Sequence, residues 1–121
     1  MNEIIKELKL ENSKNFVYDG YVYFCMNGKD DLFDQAKSYL ERVSDNKVFF
    51  DDTTYDDSDV AQFNLFYYKG FVIVLEQEIT HYVGDDDEIY KLIYIFDNYK
   101  NFGLQCVLPS YMKNWPFIEE N

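Results

Sequence analysis

Residues 16–25 read FVYDGYVYFC, two β-prone runs on either side of the pair Asp19-Gly20. Asp-Gly between such runs is the strongest short signal for a hairpin, because glycine tolerates the left-handed backbone that a two-residue turn requires. Upstream, Ile4, Ile5 and Leu8 recur at i, i+1 and i+4 within 2–9, which predicts a short amphipathic helix. Downstream, Asn27-Gly28 ends the second strand. Asp30 or Asp31 then caps a helix whose apolar stripe is Leu32, Phe33, Ala36, Tyr39, Leu40 and Val43. Ser44, Asp45 and Asn46 stop it.

Lys47 to Phe50 reads as a short strand, and 51–59, DDTTYDDSD, as an acidic loop. Gln62 to Tyr68 and Phe71 to Glu78 are two β-rich runs joined by Lys69-Gly70. A second acidic turn, Gly84 to Glu88, leads into Ile89 to Phe96. Alternation there sets Tyr90, Leu92, Tyr94 and Phe96 on one face and Ile89, Lys91, Ile93 and Ile95 on the other, and the β-branched and aromatic content favours strand over helix. Gly103 to Leu108 is a candidate for a further strand before Pro109, and Tyr111, Trp115 and Phe117 are expected to pack on the sheet. The expectation is an α+β fold in a single domain, 1–121. It has a mainly antiparallel sheet of about five or six strands, one principal helix packed on one face and a short N-terminal helix.

Apolar residues make up 47% of the 121 residues, enough for a core, so the acidity of the chain is not a mark of disorder. There are 23 Asp and Glu against 11 Lys and Arg, a formal net charge of −12. Such a surface repels nucleic-acid backbones and anionic membranes and attracts basic proteins. Aromatic strands can stack bases, but that device works inside a positive groove, and here Arg42 is the one arginine among dispersed lysines. Direct nucleic-acid binding is therefore not expected. The N-terminal MNEIIKELKL lacks a continuous apolar core, which argues against a signal peptide, and no run approaches the roughly 20 apolar residues that span a bilayer. A cytoplasmic protein without membrane contact is expected, with Cys25 and Cys106 as reduced core thiols.

Catalytic and metal chemistry find little support. Tested as an EF-hand from Asp52, the acidic loop places Thr54 and Asp56 well, but Asp57 stands where the turn glycine belongs and Phe63 where a bidentate glutamate is needed. One histidine and two isolated cysteines give no zinc spacing. His81 would have to serve any histidine-dependent triad, and its neighbours Thr80 and Tyr82 do not complete one. Among so many acids a pair at glycosidase separation can always be found, which makes the pairing uninformative. No glycine-rich phosphate loop is present. No cofactor, metal or enzymatic activity is expected, a small enzyme using His81 or a carboxylate pair being the alternative.

What remains to be explained is where the acids cluster. Asp51, Asp52, Asp56, Asp57 and Asp59 surround Tyr55, while Asp85, Asp86, Asp87 and Glu88 stand between Tyr82 and Tyr90. Solvated loops account for many such runs. The alternative is a surface that matches a basic site, with carboxylates where phosphates would lie and tyrosines supplying contact area. Asp51, Asp52, Tyr55, Asp56, Asp57, Asp59, Tyr82, Asp85, Asp86, Asp87 and Glu88 are the candidate partner-binding residues. A small acidic inhibitory protein is expected, of the bacterial immunity type that occludes the basic active site of a nuclease or toxin domain. A phage-encoded nucleic-acid mimic with anti-CRISPR or anti-restriction action is the runner-up, and an oligomer assembled through strand edges is a further alternative.

Overall fold

The computed structural model describes residues 1–27, 31–44, 46–53, 59–80, 88–98 and 101–102. The elements run α1 (Asn2–Glu7), β1 (Asn15–Tyr18), β2 (Tyr21–Asn27), α2 (Leu32–Val43), β3 (Asn46–Thr53), β4 (Asp59–Tyr68), β5 (Phe71–Thr80) and β6 (Glu88–Phe96). The strands form one sheet in the order β1-β2-β6-β5-β4-β3, and every pairing is antiparallel. The expected α+β arrangement is present. Gly103 to Leu108, Tyr111, Trp115 and Phe117 lie outside the described residues.

Both tight hairpins form where the sequence places them. Tyr18 pairs with Tyr21 across Asp19-Gly20, and Gly20 takes a φ of 89°. A side chain at Gly20 would also meet Asn101, at 2.9 Å from an added Cβ. At the other hairpin Lys69 and Gly70 both turn left-handed, with φ of 53° and 86°, the combination that matches the right-handed twist of the strands it joins. Holding a lysine there costs roughly 1 kcal/mol in backbone energy.

Helix α2 docks its stripe on the sheet. Phe33, Ala36 and Leu40 are buried, Leu32, Tyr39 and Val43 pack partly against the same core, and contacts reach β4 and β6. Asp31 occupies the N-cap position, but its side chain makes no capping hydrogen bond. Ile4 of α1 and the following Leu8 and Leu10 close the same layer over Val22, Phe24, Ile73, Leu75, Ile93 and Ile95. Lys91 belongs to this helix-covered face too. It is buried, with its Nζ 3.6 Å from Asp34 and above the ring of Phe33.

The opposite face is also apolar at its centre. Phe63, Leu65, Val72, Val74 and Phe96 are buried there, and Phe102 packs edge-on against Phe96 at 5.2 Å. This explains the unbroken apolar run from Phe71 to Leu75, since a strand covered on both faces has no reason to alternate. Toward β1 the same face carries a ladder of rings. Phe16 stacks on Tyr23 at 4.9 Å, Tyr18 on Tyr21 at 5.0 Å, Tyr21 on Phe96 at 5.1 Å, and Tyr23 lies 5.5 Å from Tyr94.

Three expectations need correction. Asp51 and Asp52 are strand rather than loop: β3 continues to Thr53, with Asp51 opposite Gln62, Asp52 opposite Ala61 and Thr53 opposite Val60. Asp59 and Glu88 likewise begin β4 and β6. β3 is an edge strand, which tolerates Asp51 and Asp52 because one side of its backbone has no described neighbouring strand, while Asp59 and Glu88 are the first residues of central strands, at the end of the sheet. Cys25 is an exposed free thiol and not part of the core. The pleat turns Val22, Phe24 and Met26 inward and sends Cys25 outward with Tyr21 and Tyr23.

The depth of the α2 contact sets a measurable cost. Leu40→Ala should lower unfolding free energy by about 2–5 kcal/mol, as for other fully buried leucines. Urea denaturation gives the value, and a loss below about 1 kcal/mol would mean that α2 is not part of the cooperative core.

Candidate functional site

The sheet register decides where the acidic segments attach. Thr53, at the end of β3, pairs with Val60 near the start of β4. Asp59 pairs with Thr80 at the end of β5, and Thr80 pairs in turn with Glu88 at the start of β6. Segments 54–58 and 81–87 therefore leave and rejoin the sheet at one and the same end. Adjacent strands lie about 4.8 Å apart, so the starts of β4 and β6 are separated by roughly 10 Å.

Of the candidate residues, Asp51, Asp52, Asp59 and Glu88 have described backbone positions, all within strands at or near this end. Tyr55, Asp56, Asp57, Tyr82, Asp85, Asp86 and Asp87 lie outside the described residues, as does His81. Tyr90, next to the second cluster, is exposed, and so is its neighbour Ile89. Among the described residues no group of three or more His, Cys, Asp or Glu side chains is placed to hold a metal ion, and no helix is long and apolar enough to cross a membrane.

A second polar constellation was not singled out by the sequence. The carboxylate of Glu7, at the end of α1, accepts hydrogen bonds from the hydroxyls of Tyr39 on α2 and Tyr68 on β4. Lys69 Nζ donates to its other oxygen at 3.0 Å. The left-handed turn at Lys69-Gly70 brings that ammonium alongside the carboxylate. The Tyr39 and Tyr68 rings meet edge to face at 6.5 Å, and Arg42 lies over the Tyr39 ring at 5.6 Å. One carboxylate thus ties together both helices and the β4–β5 turn.

Electrostatics follow from that geometry. Tyr39 and then Tyr68, donating to the ionised form, hold the Glu7 carboxyl at about 2 against the opposing effect of burial, and Lys69 lowers it by a smaller amount. The hydrogen bond to Glu7 and then one with Tyr68 push the Tyr39 hydroxyl well above its ordinary range, and the bond to Glu7 raises Lys69. A carboxylate this weakly basic beside a hydroxyl this weakly acidic is ill-suited to proton transfer near neutral pH. The arrangement is suited to holding elements in place. Its partners stand 32, 61 and 62 residues from Glu7, so no local pattern could have pointed to them.

Because the Glu7 carboxyl titrates lower in the folded chain than its ordinary 4.5, its ionised form favours folding above that pH, and the contribution fades as pH falls toward 2. Glu7→Gln should be less stable than the wild type at pH 7, with the gap narrowing through this window in urea titrations at stepped pH. Parallel stability curves for the two proteins would remove Glu7 from its holding role. Compared with known proteins, the chain matches no family model, no curated protein and no solved structure.

Proposed function

We propose that this chain is a small inhibitory binding protein that covers the basic active site of another protein, as a bacterial immunity protein covers a nuclease-type toxin. One observation carries the reading: the register Asp59–Thr80–Glu88 gathers both acidic segments at a single end of the sheet. A net charge of −12 supplies the long-range field that steers a basic partner toward such an end. Tyrosines next to the acids, Tyr55, Tyr82 and Tyr90, supply the ring area on which interface energy usually concentrates.

Inhibition in this reading is steric and electrostatic. Acids occupy positions that substrate phosphates would take, and the rigid sheet behind them blocks access. A nucleic-acid mimic would require acids at phosphate-like spacing along an elongated face. Attachment at one sheet end supports the compact patch instead.

The test is capture of a partner from the source lysate at low salt, followed by elution in a salt gradient. A basic nuclease or toxin domain should elute as salt rises, with its activity suppressed in the complex. Neutralising Asp56 and Asp57, or Asp85 to Asp87, should each slow association by about tenfold, and both together by more, while thermal unfolding is unchanged. Binding that ignores salt, or a partner without a basic site, would defeat the reading.

A further inference from the structure

The two edges of the sheet are unequally guarded. β3 carries Lys47, Asp51 and Asp52, charged residues of the kind that discourage a foreign strand from pairing. β1 reads Asn15-Phe16-Val17-Tyr18, without charge or proline, in unbroken register with β2, and all four residues are exposed. Closure of the two-residue turn makes Tyr18 and Tyr21 a hydrogen-bonded pair. The Cys25 N–H donates to the Lys14 carbonyl at 3.4 Å in the same phase. The backbone groups of the intervening residues, Asn15 and Val17, therefore point out of the sheet.

Val17 is exposed in a second sense. It stands on the helix-covered face opposite buried Val22, yet remains 77% exposed. Between α1 and this edge lies a groove of about 740 Å³ to which Ile5, Val17 and Val22 contribute apolar surface. Among its charged side chains Glu3, Glu11 and Asp97 outnumber Lys6. A strand laid along β1 would find backbone that no described residue pairs with on its outer side, an apolar groove for every second side chain, and an acidic margin.

We propose that the β1 edge and this groove form a strand-addition site for an extended, basic segment of a partner protein. Backbone groups of Asn15 and Val17 pair with the segment, apolar side chains on its groove-facing side pack against Val17 and Ile5, and lysines or arginines flanking them on that same side meet Glu3, Glu11 and Asp97. A second copy of the chain fits less well, because pairing two β1 edges would bring the same acidic margins together. The site sits at the turn end of β2, where Tyr21 faces Phe96, whereas the acidic strand ends lie beyond Asn27 and Tyr90. It stands or falls separately from the inhibitory surface.

The probe is a capped peptide of about eight residues whose groove-facing positions run lysine, valine, valine, lysine with threonines between them, and a peptide with glutamate in place of lysine is its charge-reversed counterpart. Amide exchange on the full chain is the readout. The basic peptide should slow exchange at Asn15 and Val17 by about tenfold or more, and the acidic peptide should leave it unchanged. Val17→Pro removes an outward donor without removing a bond to β2, and should abolish the protection. Glu3→Lys combined with Glu11→Lys leaves β1 intact and should weaken binding of the basic peptide by about tenfold. Equal binding of both peptides, binding without protection of β1, or no binding at millimolar peptide would overturn the proposal. Protection that grows with protein concentration alone would also overturn it and assign the edge to a second copy.

Discussion

Insertion of β6 between β2 and β5 is the constraint on which the rest of the molecule depends. The N-terminal hairpin ends at Asn27, and the chain then travels through α2 to the far edge of the sheet before returning strand by strand. β6 completes that return by pairing on both sides at once, with Ile95 opposite Val22 and Ile73, and Ile93 opposite Phe24 and Leu75. Ile93 and Ile95 are fully buried beneath the helices. Without this pairing the β1–β2 hairpin would be a separate two-stranded unit, which is marginal in water. The pairing also sets which strand ends are neighbours.

Around that central pairing the two faces of the sheet are held by different means. On the helix side, aliphatic and phenylalanine side chains give non-directional burial, and Glu7 adds a directional lock through Tyr39, Tyr68 and Lys69. On the other side, rings from β1, β2 and β6 stack across the strands, so that side-chain pairs reinforce backbone pairs. Many of these rings are tyrosines, a residue whose ring can pack on a neighbour while its polar hydroxyl finds a hydrogen-bond partner or water. The abundance of tyrosine therefore has a structural outlet in this ladder.

Local signals were legible where the physics is local. Asp19-Gly20 and Lys69-Gly70 mark turns because glycine relieves a steric limit within two residues. The α2 stripe of Phe33, Ala36 and Leu40 marks a buried helical face because helical periodicity is a property of the segment itself. Misreadings arose where the neighbour decides. Asp51 and Asp52 resemble loop until Gln62 and Ala61 lie opposite them. Cys25 resembles a core thiol until the pleat assigns it to the face of Tyr21 and Tyr23. Lys91 could be assigned to a face from sequence, but its burial against Phe33 and Asp34 required the helix to be in place.

The candidate site divides along the same line. By itself the sequence determined the fold class, the hairpins, the principal helix and the presence of two acid-rich segments flanked by tyrosine, since these follow from composition and short-range stereochemistry. Only the tertiary structure decided that both segments join the sheet at one end, that Glu7 holds three distant donors, and that β1 is an edge strand with no described neighbour on its outer side. Each of these depends on strand order and register. Those are settled by the burial of whole faces against one another, a free energy that no short stretch of chain contains.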